Sequence, residues 1–415
     1  MNVVCLVIDR LHVGQLGCYG NSSIGSPAFD RLAADGFLFD QTLAESPELA
    51  DFYASISSGV HIFARADGDG TRLNLVERLA ASGVSSTLIS DEPSLANFPW
   101  AAALDDVVHV PRERLPKTAA SLEETELARF FAVTSDWLQT AAEPFCLFAH
   151  CGSLGMAWDA PYEYRERYAD ADEPSPPEGA TPPAFTLAEN YDPDLLLGIC
   201  QSYAGQISAL DTCLAALVAQ LEQLACHERT LLVVISPRGF PLGEHRFVGE
   251  APMPPHAELA QIPWIIRFPD AHGASDRSSA LVQPCDLGPT ILDWFGLPPE
   301  HTLLSLSPLA GLSLLPIARG EAASIRDRAY VTSNAWRAIR TPAWFLCVES
   351  PSAEDGATPA APQIQLYAKP DDRWELNDVA DRCQNVVELL TPLVDEPART
   401  QPSEPLAEIL ISGLE

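Results

Sequence analysis

The residues whose types and spacing could do chemistry begin at the ninth position of the chain. Asn2-Val3-Val4-Cys5-Leu6-Val7-Ile8 is a short apolar run that ends on Asp9-Arg10. A run too short for a helix and rich in β-branched residues reads as a strand buried on both faces. The charged pair at its carboxyl end then sits where open α/β sheets place an active-site crevice. His12 follows two residues later and is read as a solvated loop histidine, with reach into the same crevice as the alternative. Glu244-His245 offers either a base near such a crevice or a hydrogen-bonded support for its own loop, and the support reading is preferred. Ser46 and Ser55 are unaccompanied by any Ser-His-Asp spacing, and Asp105-Asp106 and His150 read as structural. Ten cysteines are scattered without CxxC pairs or metal-ligand spacing. Cys5, Cys146, Cys200 and Cys213 fall inside apolar segments, as buried free thiols of a reducing compartment do.

Something must hold these groups in place, and the chain is long enough to supply it. Its 415 residues allow a large core and two or three domains, with 47% hydrophobic and 20% charged residues. No apolar run reads as long enough to span a bilayer. A formal charge of −32 argues against nucleic acid and anionic membrane surfaces as partners, because both require clustered Lys and Arg. The first apolar run lacks a basic lead and is interrupted by Asp9, so it reads as a strand rather than a signal peptide. A cytoplasmic location is the expectation.

Short apolar runs alternate with helical periodicity. Strands are predicted at 2–8, 37–44, 85–90, 145–150, 230–235 and 262–267. Helices are predicted at 27–36, 73–83, 122–142, 195–224 and 286–295, with another entered from the loop at 47–59. This alternation implies a layered α/β protein with a mostly parallel sheet. Residues 169–184, acidic and proline-rich, read as an exposed excursion. After a composition shift near 303–325, shorter strands are predicted at 330–332, 336–339, 344–348 and 364–367, with a Pro/Ala-rich loop at 350–362.

Several segments, in order, resemble the sulfatase family of the alkaline phosphatase superfamily. They are Leu16-Gly17-Cys18-Tyr19-Gly20, Pro27 to Gly36, Tyr203 to Asp211, Ile262 to Arg267, Asp286 to Asp293, Gly311 to Pro316, Gln365-Leu366-Tyr367 and Glu375-Leu376-Asn377. The resemblance implies a central sheet sandwiched by helices over residues 1–320 and a smaller α+β domain over 321–415. It also implies hydrolysis of sulfate or phosphate esters by a calcium ion and a cysteine or serine matured to formylglycine.

The residues expected for that chemistry are absent. By the resemblance, Leu49 stands where the nucleophilic cysteine belongs, Asp51 in place of a proline and Tyr53 in place of an arginine. Two adjacent aspartates become Asp9-Arg10, and the later metal motif becomes Ser236-Pro237-Arg238-Gly239. Asp91-Glu92-Pro93 replaces a Lys-x-His, a further histidine aligns near Gly155, and a late lysine has no counterpart at 250–257. One carboxylate beside two arginines falls short of the oxygen-rich cage calcium requires, so no cofactor and no metal are expected.

Three readings follow. The first is a catalytically inactive protein that binds an anionic small molecule or a partner protein. The second is a metal-dependent hydrolase with a rearranged site built on Asp9, His12, Asp51 or His245. The third is a structural subunit with a filled pocket. In the first and third, an arginine from Arg10 or Arg238 neutralises Asp9, and Asp9, Arg10 and Arg238 form the candidate ion-pair or anion site.

Overall fold

The computed structural model describes residues 1–67, 74–113, 116–250, 253–297, 309–333, 336–350, 362–395 and 397. The strands are β1 (Asn2–Ile8), β2 (Phe37–Thr42), β3 (Ser85–Ser90), β4 (Asp106–His109), β5 (Phe145–Cys151), β6 (Phe185–Thr186), β7 (Thr230–Ile235), β8 (Phe247–Val248), β9 (Trp264–Arg267), β10 (Asp276–Val282), β11 (Ala329–Ser333), β12 (Trp336–Arg340), β13 (Trp344–Glu349) and β14 (Ile364–Ala368). The helices are α1 (Pro27–Ala34), α2 (Leu49–Ser58), α3 (Leu75–Ala81), α4 (Glu126–Thr140), α5 (Tyr162–Glu166), α6 (Pro193–Gln223), α7 (Ala257–Ala260), α8 (Leu287–Trp294), α9 (Leu315–Ala318) and α10 (Gln384–Asp395).

An eight-stranded mixed sheet runs in the order β10-β2-β9-β7-β1-β5-β3-β4. Its centre is parallel: β1 pairs with β5 on one side and β7 on the other, and β3 pairs with β5 and β4. All seven residues of β1 are buried, which is what a strand covered on both faces and paired along both edges requires. The strand predicted at 262–267 forms as β9 but runs antiparallel to both β7 and β2. Apolar pattern alone does not encode strand direction, so this could not be read from residues. The edge strand β4 escaped the sequence reading because its four residues are mostly exposed and begin with an aspartate.

The chain folds as two compact units interleaved in sequence. The first comprises Met1–Asp40, Val76–Ala251 and Ile262–Arg277; the second comprises Gln41–Leu75, Pro252–Gln261 and Ser278–Glu415. The boundary expected at 320/321 falls within the last segment of the second unit, and each unit draws on segments distant in sequence. The second unit contains an antiparallel meander, β11-β12-β13-β14, with α10 packed on β12 and β13. The four predicted tail strands match it; the loop predicted at 350–362 lies almost wholly outside the described residues.

In the first unit α6 packs with α1, α4 and α5. Pro193 occupies its first turn, and the Asp192 side chain accepts the Asp194 N–H, satisfying a donor that has no partner within the helix. By length and composition α6 could also cross a membrane, contrary to the sequence reading. In this fold 72% of its most apolar window is buried. The excursion at 169–184 is largely exposed, and it is tied down by buried Arg165, whose guanidinium donates to the carbonyls of Trp158, Pro177 and Gly179.

Asp211, deep in α6, accepts the N–H groups of Ala28 and Phe29 at 3.0 Å, so a carboxylate from one helix caps the start of α1. Burial raises its pKa against the pull of those two bonds. Replacing Asp211 by alanine leaves the buried Phe29 N–H and the half-buried Ala28 N–H without this acceptor, and should cost about 1–3 kcal/mol of stability. Urea denaturation measures this; a loss below about 0.5 kcal/mol, the scale of an ordinary surface substitution, would contradict the capping role.

Candidate functional site

The backbone delivers the first side chain directly. The Asp9 N–H donates to the Cys151 carbonyl at 2.9 Å, so the β1–β5 ladder runs one residue past the strand and fixes Asp9 at its carboxyl end. Asp9 is 3% exposed. Arg238, three residues beyond β7, meets it with both prongs of its fork: Nε donates to Oδ1 and Nη2 to Oδ2, each at 3.0 Å. Burial by itself would raise the Asp9 pKa. The charge and hydrogen bonds of Arg238, with the charges of Arg10 and His150, outweigh it and hold the carboxyl below its usual range.

Arg10 turns away at once. Its φ of 60° is left-handed, a conformation that costs a residue with a side chain about 1–2 kcal/mol. Tyr203, from α6, holds that turn: its hydroxyl donates to the Arg10 carbonyl at 2.7 Å and accepts the His12 N–H at 2.9 Å. The Arg10 guanidinium lies 3.7 Å from Asp9 Oδ2 and donates to Glu250 at 2.7 Å. It also fills the space above Gly155, where a Cβ would come within 2.5 Å of Arg10 Cδ. A side chain at 155, near which the resemblance calls for a histidine, would require the end of the Arg10 side chain to move.

His12 is 2% exposed, so the expectation of a solvated loop histidine is wrong. Its Nδ1 accepts the Gly14 N–H at 2.9 Å, which assigns the hydrogen to Nε2, and Nε2 faces Glu244 at 3.0 Å. Glu244 also accepts the Leu242 N–H at 2.8 Å. Burial tends to raise the Glu244 pKa, but the hydrogen bond with His12 and those from backbone N–H groups lower it overall. Glu244 is thus a loop support. His245 sits half-buried beside it.

Both oxygens of Asp9 and both ring nitrogens of His12 are engaged. Fully buried His150, in β5, has its pKa lowered by burial against the opposing pull of Asp9, Asp91 and Glu92. Leu49 and Asp51 belong to the second unit, in the first turn of α2, where Leu49 is buried and Asp51 is half-buried. A leucine supplies no attacking atom. The set around Asp9 does not fit a calcium ion: it has one carboxylate with both oxygens taken, two guanidiniums, and Ser236, whose hydroxyl donates to the Arg238 carbonyl at 2.6 Å.

Residue types gave no signal for Tyr203, Glu250 or Arg112 as parts of this region. Asp91, at the end of β3, accepts the Gly152 N–H at 2.7 Å and faces Arg112 Nη2 at 3.3 Å.

A sequence model of the sulfatase family matches residues 1–297. Human iduronate 2-sulfatase is 24% identical over 316 residues, covering 59% of this chain and 56% of that protein, so the chain aligns to about half of this relative's length. Among solved structures, phosphonate monoester hydrolase of Agrobacterium radiobacter superposes with a TM-score of 0.73 at 19% identity, covering 99% of this chain and 95% of its own. A structure solved with its substrate D-glucosamine-2-N,6-O-disulfate superposes with a TM-score of 0.74 at 18% identity, covering 95% and 97%.

A buried ion pair broken on one side leaves an uncompensated charge. Arg238→Met should destabilise the protein by about 3–5 kcal/mol, whereas the double change Asp9→Asn with Arg238→Met should recover most of that loss. Because the folded Asp9 pKa is depressed, its contribution is fully present above the unfolded value near 4 and declines as pH falls toward the lower folded value. Denaturation curves between about pH 7 and 2 should show this acid-linked loss in the wild type, and Asp9→Asn should lack that component.

Proposed function

Since the chain belongs to the sulfatase family, we propose that it is a member that keeps the fold and has exchanged ester hydrolysis for an internally neutralised centre. The observation that carries this reading is the two-pronged Arg238–Asp9 pair, which occupies both oxygens of the one aspartate left from the metal motif. Arg10 completes the exchange from the other side and fills the space over Gly155. No divalent cation is needed to balance Asp9, and Leu49 brings no nucleophile.

Six buried or half-buried cysteines are poorly suited to supply a substitute. Burial pushes the thiols of Cys5, Cys146, Cys151, Cys285 and Cys347 far above the range in which a thiolate forms near neutral pH, and that of Cys200 to about 11. All ten cysteines are unpaired, which supports a reducing, cytoplasmic compartment.

Aryl sulfate, aryl phosphate and phosphonate esters offered with calcium, magnesium, manganese or zinc should show no turnover above buffer. Calcium titrated in a calorimeter should give no heat of binding at micromolar concentration. Turnover that disappears on substituting Asp9 or His12, or micromolar calcium affinity, would sink the proposal.

A further inference from the structure

Glu126, the first residue of α4, carries a buried carboxylate that the protein only half satisfies. Its Oε1 accepts the Glu113 N–H at 2.8 Å and lies 3.6 Å from Arg129. Among the described residues no hydrogen bond reaches its Oε2, although the side chain is only 4% exposed. A carboxylate accepts at both oxygens, and leaving one of them dry and unmatched is costly. Burial, with the charge of Asp159, raises the Glu126 pKa against the pull of the Glu113 N–H, Arg129 and Arg112. The surroundings thus supply too little positive charge to offset the burial of the ionised form.

The same side chain borders a cavity of about 560 Å³ within the first unit, a volume typical of small-molecule sites. Pro111, Met156 and Pro182 give its wall an apolar stretch, and Glu113 stands at the rim with its side chain 77% exposed. Arg112 also belongs to the wall, but it faces Asp91 at 3.3 Å and its three nitrogens are sealed from solvent. Glu126 Oε2 is not sealed in this way. Arg10, beyond Gly155, is matched by Glu250 at 2.7 Å. Asp91 balances Arg112, while a single guanidinium, Arg129, is shared between Glu113 at 3.3 Å and Glu126 at 3.6 Å. One carboxylate at this wall is therefore left uncompensated, in a chain of formal charge −32. The resulting field favours a cation in the cavity and opposes an anion.

The geometry points to a site for a small organic cation: a protonated amine whose N–H groups donate to Glu126 Oε2 and to Glu113, with its apolar body against Pro111, Met156 and Pro182. An ammonium group has donors and no acceptor, which complements two carboxylates, and the bonds it forms to them are charge-assisted. Its charge also supplies what Arg129 cannot give to both glutamates at once. The site goes beyond the loss of hydrolysis proposed above and does not depend on it.

Calorimetric titration of the full chain at neutral pH with benzylamine tests this, with benzyl alcohol as the uncharged counterpart and benzoate as the anionic one. Benzylamine should bind saturably, and the alcohol and benzoate should not. Glu126→Gln keeps an oxygen for the Glu113 N–H and removes the charge. It should weaken benzylamine binding about tenfold or more, the scale of one charge-assisted hydrogen bond. Thr181→Trp, at an exposed position on the cavity wall, should weaken binding by filling the space, and carries the test if Glu126→Gln fails to fold. Absence of saturable benzylamine binding, equal binding of the alcohol or of benzoate, or undiminished binding in either folded variant overturns the proposal.

Discussion

A carboxylate buried at the end of a central strand must be balanced by something, and here a guanidinium does it. Asp9 is placed by the β1–β5 ladder whatever its chemistry, and at 3% exposure it has almost no water to solvate it. A metal ion or a cation on the chain can each neutralise it, but not in the same space. Arg238 takes both oxygens, and the arrangement around it follows from that choice. Such a pair is weak evidence for stability as such, since desolvation offsets much of its attraction. Its consequence is that both Asp9 oxygens are engaged within the chain.

Several polar groups around this pair are held by side chains from other elements. Tyr203 bridges the carbonyl of Arg10 and the N–H of His12, and Ser236 accepts from Leu11 while donating to the Arg238 carbonyl. His12 and Glu244 close the next loop. Left-handed Arg10 is the strained point, and Tyr203 and Glu250 hold it there. Gly155 lies against the Arg10 side chain, which occupies the space a Cβ there would enter.

The second unit also buries carboxylates and balances them internally. Glu45, 2% exposed, accepts from Ser55, from the Ile62 N–H and from the Cys285 N–H. Asp286 pairs with Arg326 through both oxygens. Burial raises the Asp286 pKa against the charge of Arg326, the reverse of the balance at Asp9. Ser55 thus donates to a buried carboxylate, a partner that its type and position in the sequence could not reveal.

Apolar runs, their lengths and their punctuation determined the elements. Strands at 2–8, 145–150 and 230–235 and the four short tail strands were legible because each is a compact apolar run with turn residues at its ends. The order of weak motifs was enough to indicate the family, and residue types at 9, 49 and 238 were enough to question its chemistry. Tertiary structure alone decided the rest. Strand direction in β9, the interleaving of the two units and the burial of His12 depend on partners far away in sequence. So does the allocation of cations: Arg238 to Asp9, Arg10 to Glu250 and Arg112 to Asp91. Charge type is local information, but which opposite charge it faces is set by packing across the sheet, and no spacing along the chain records that distance.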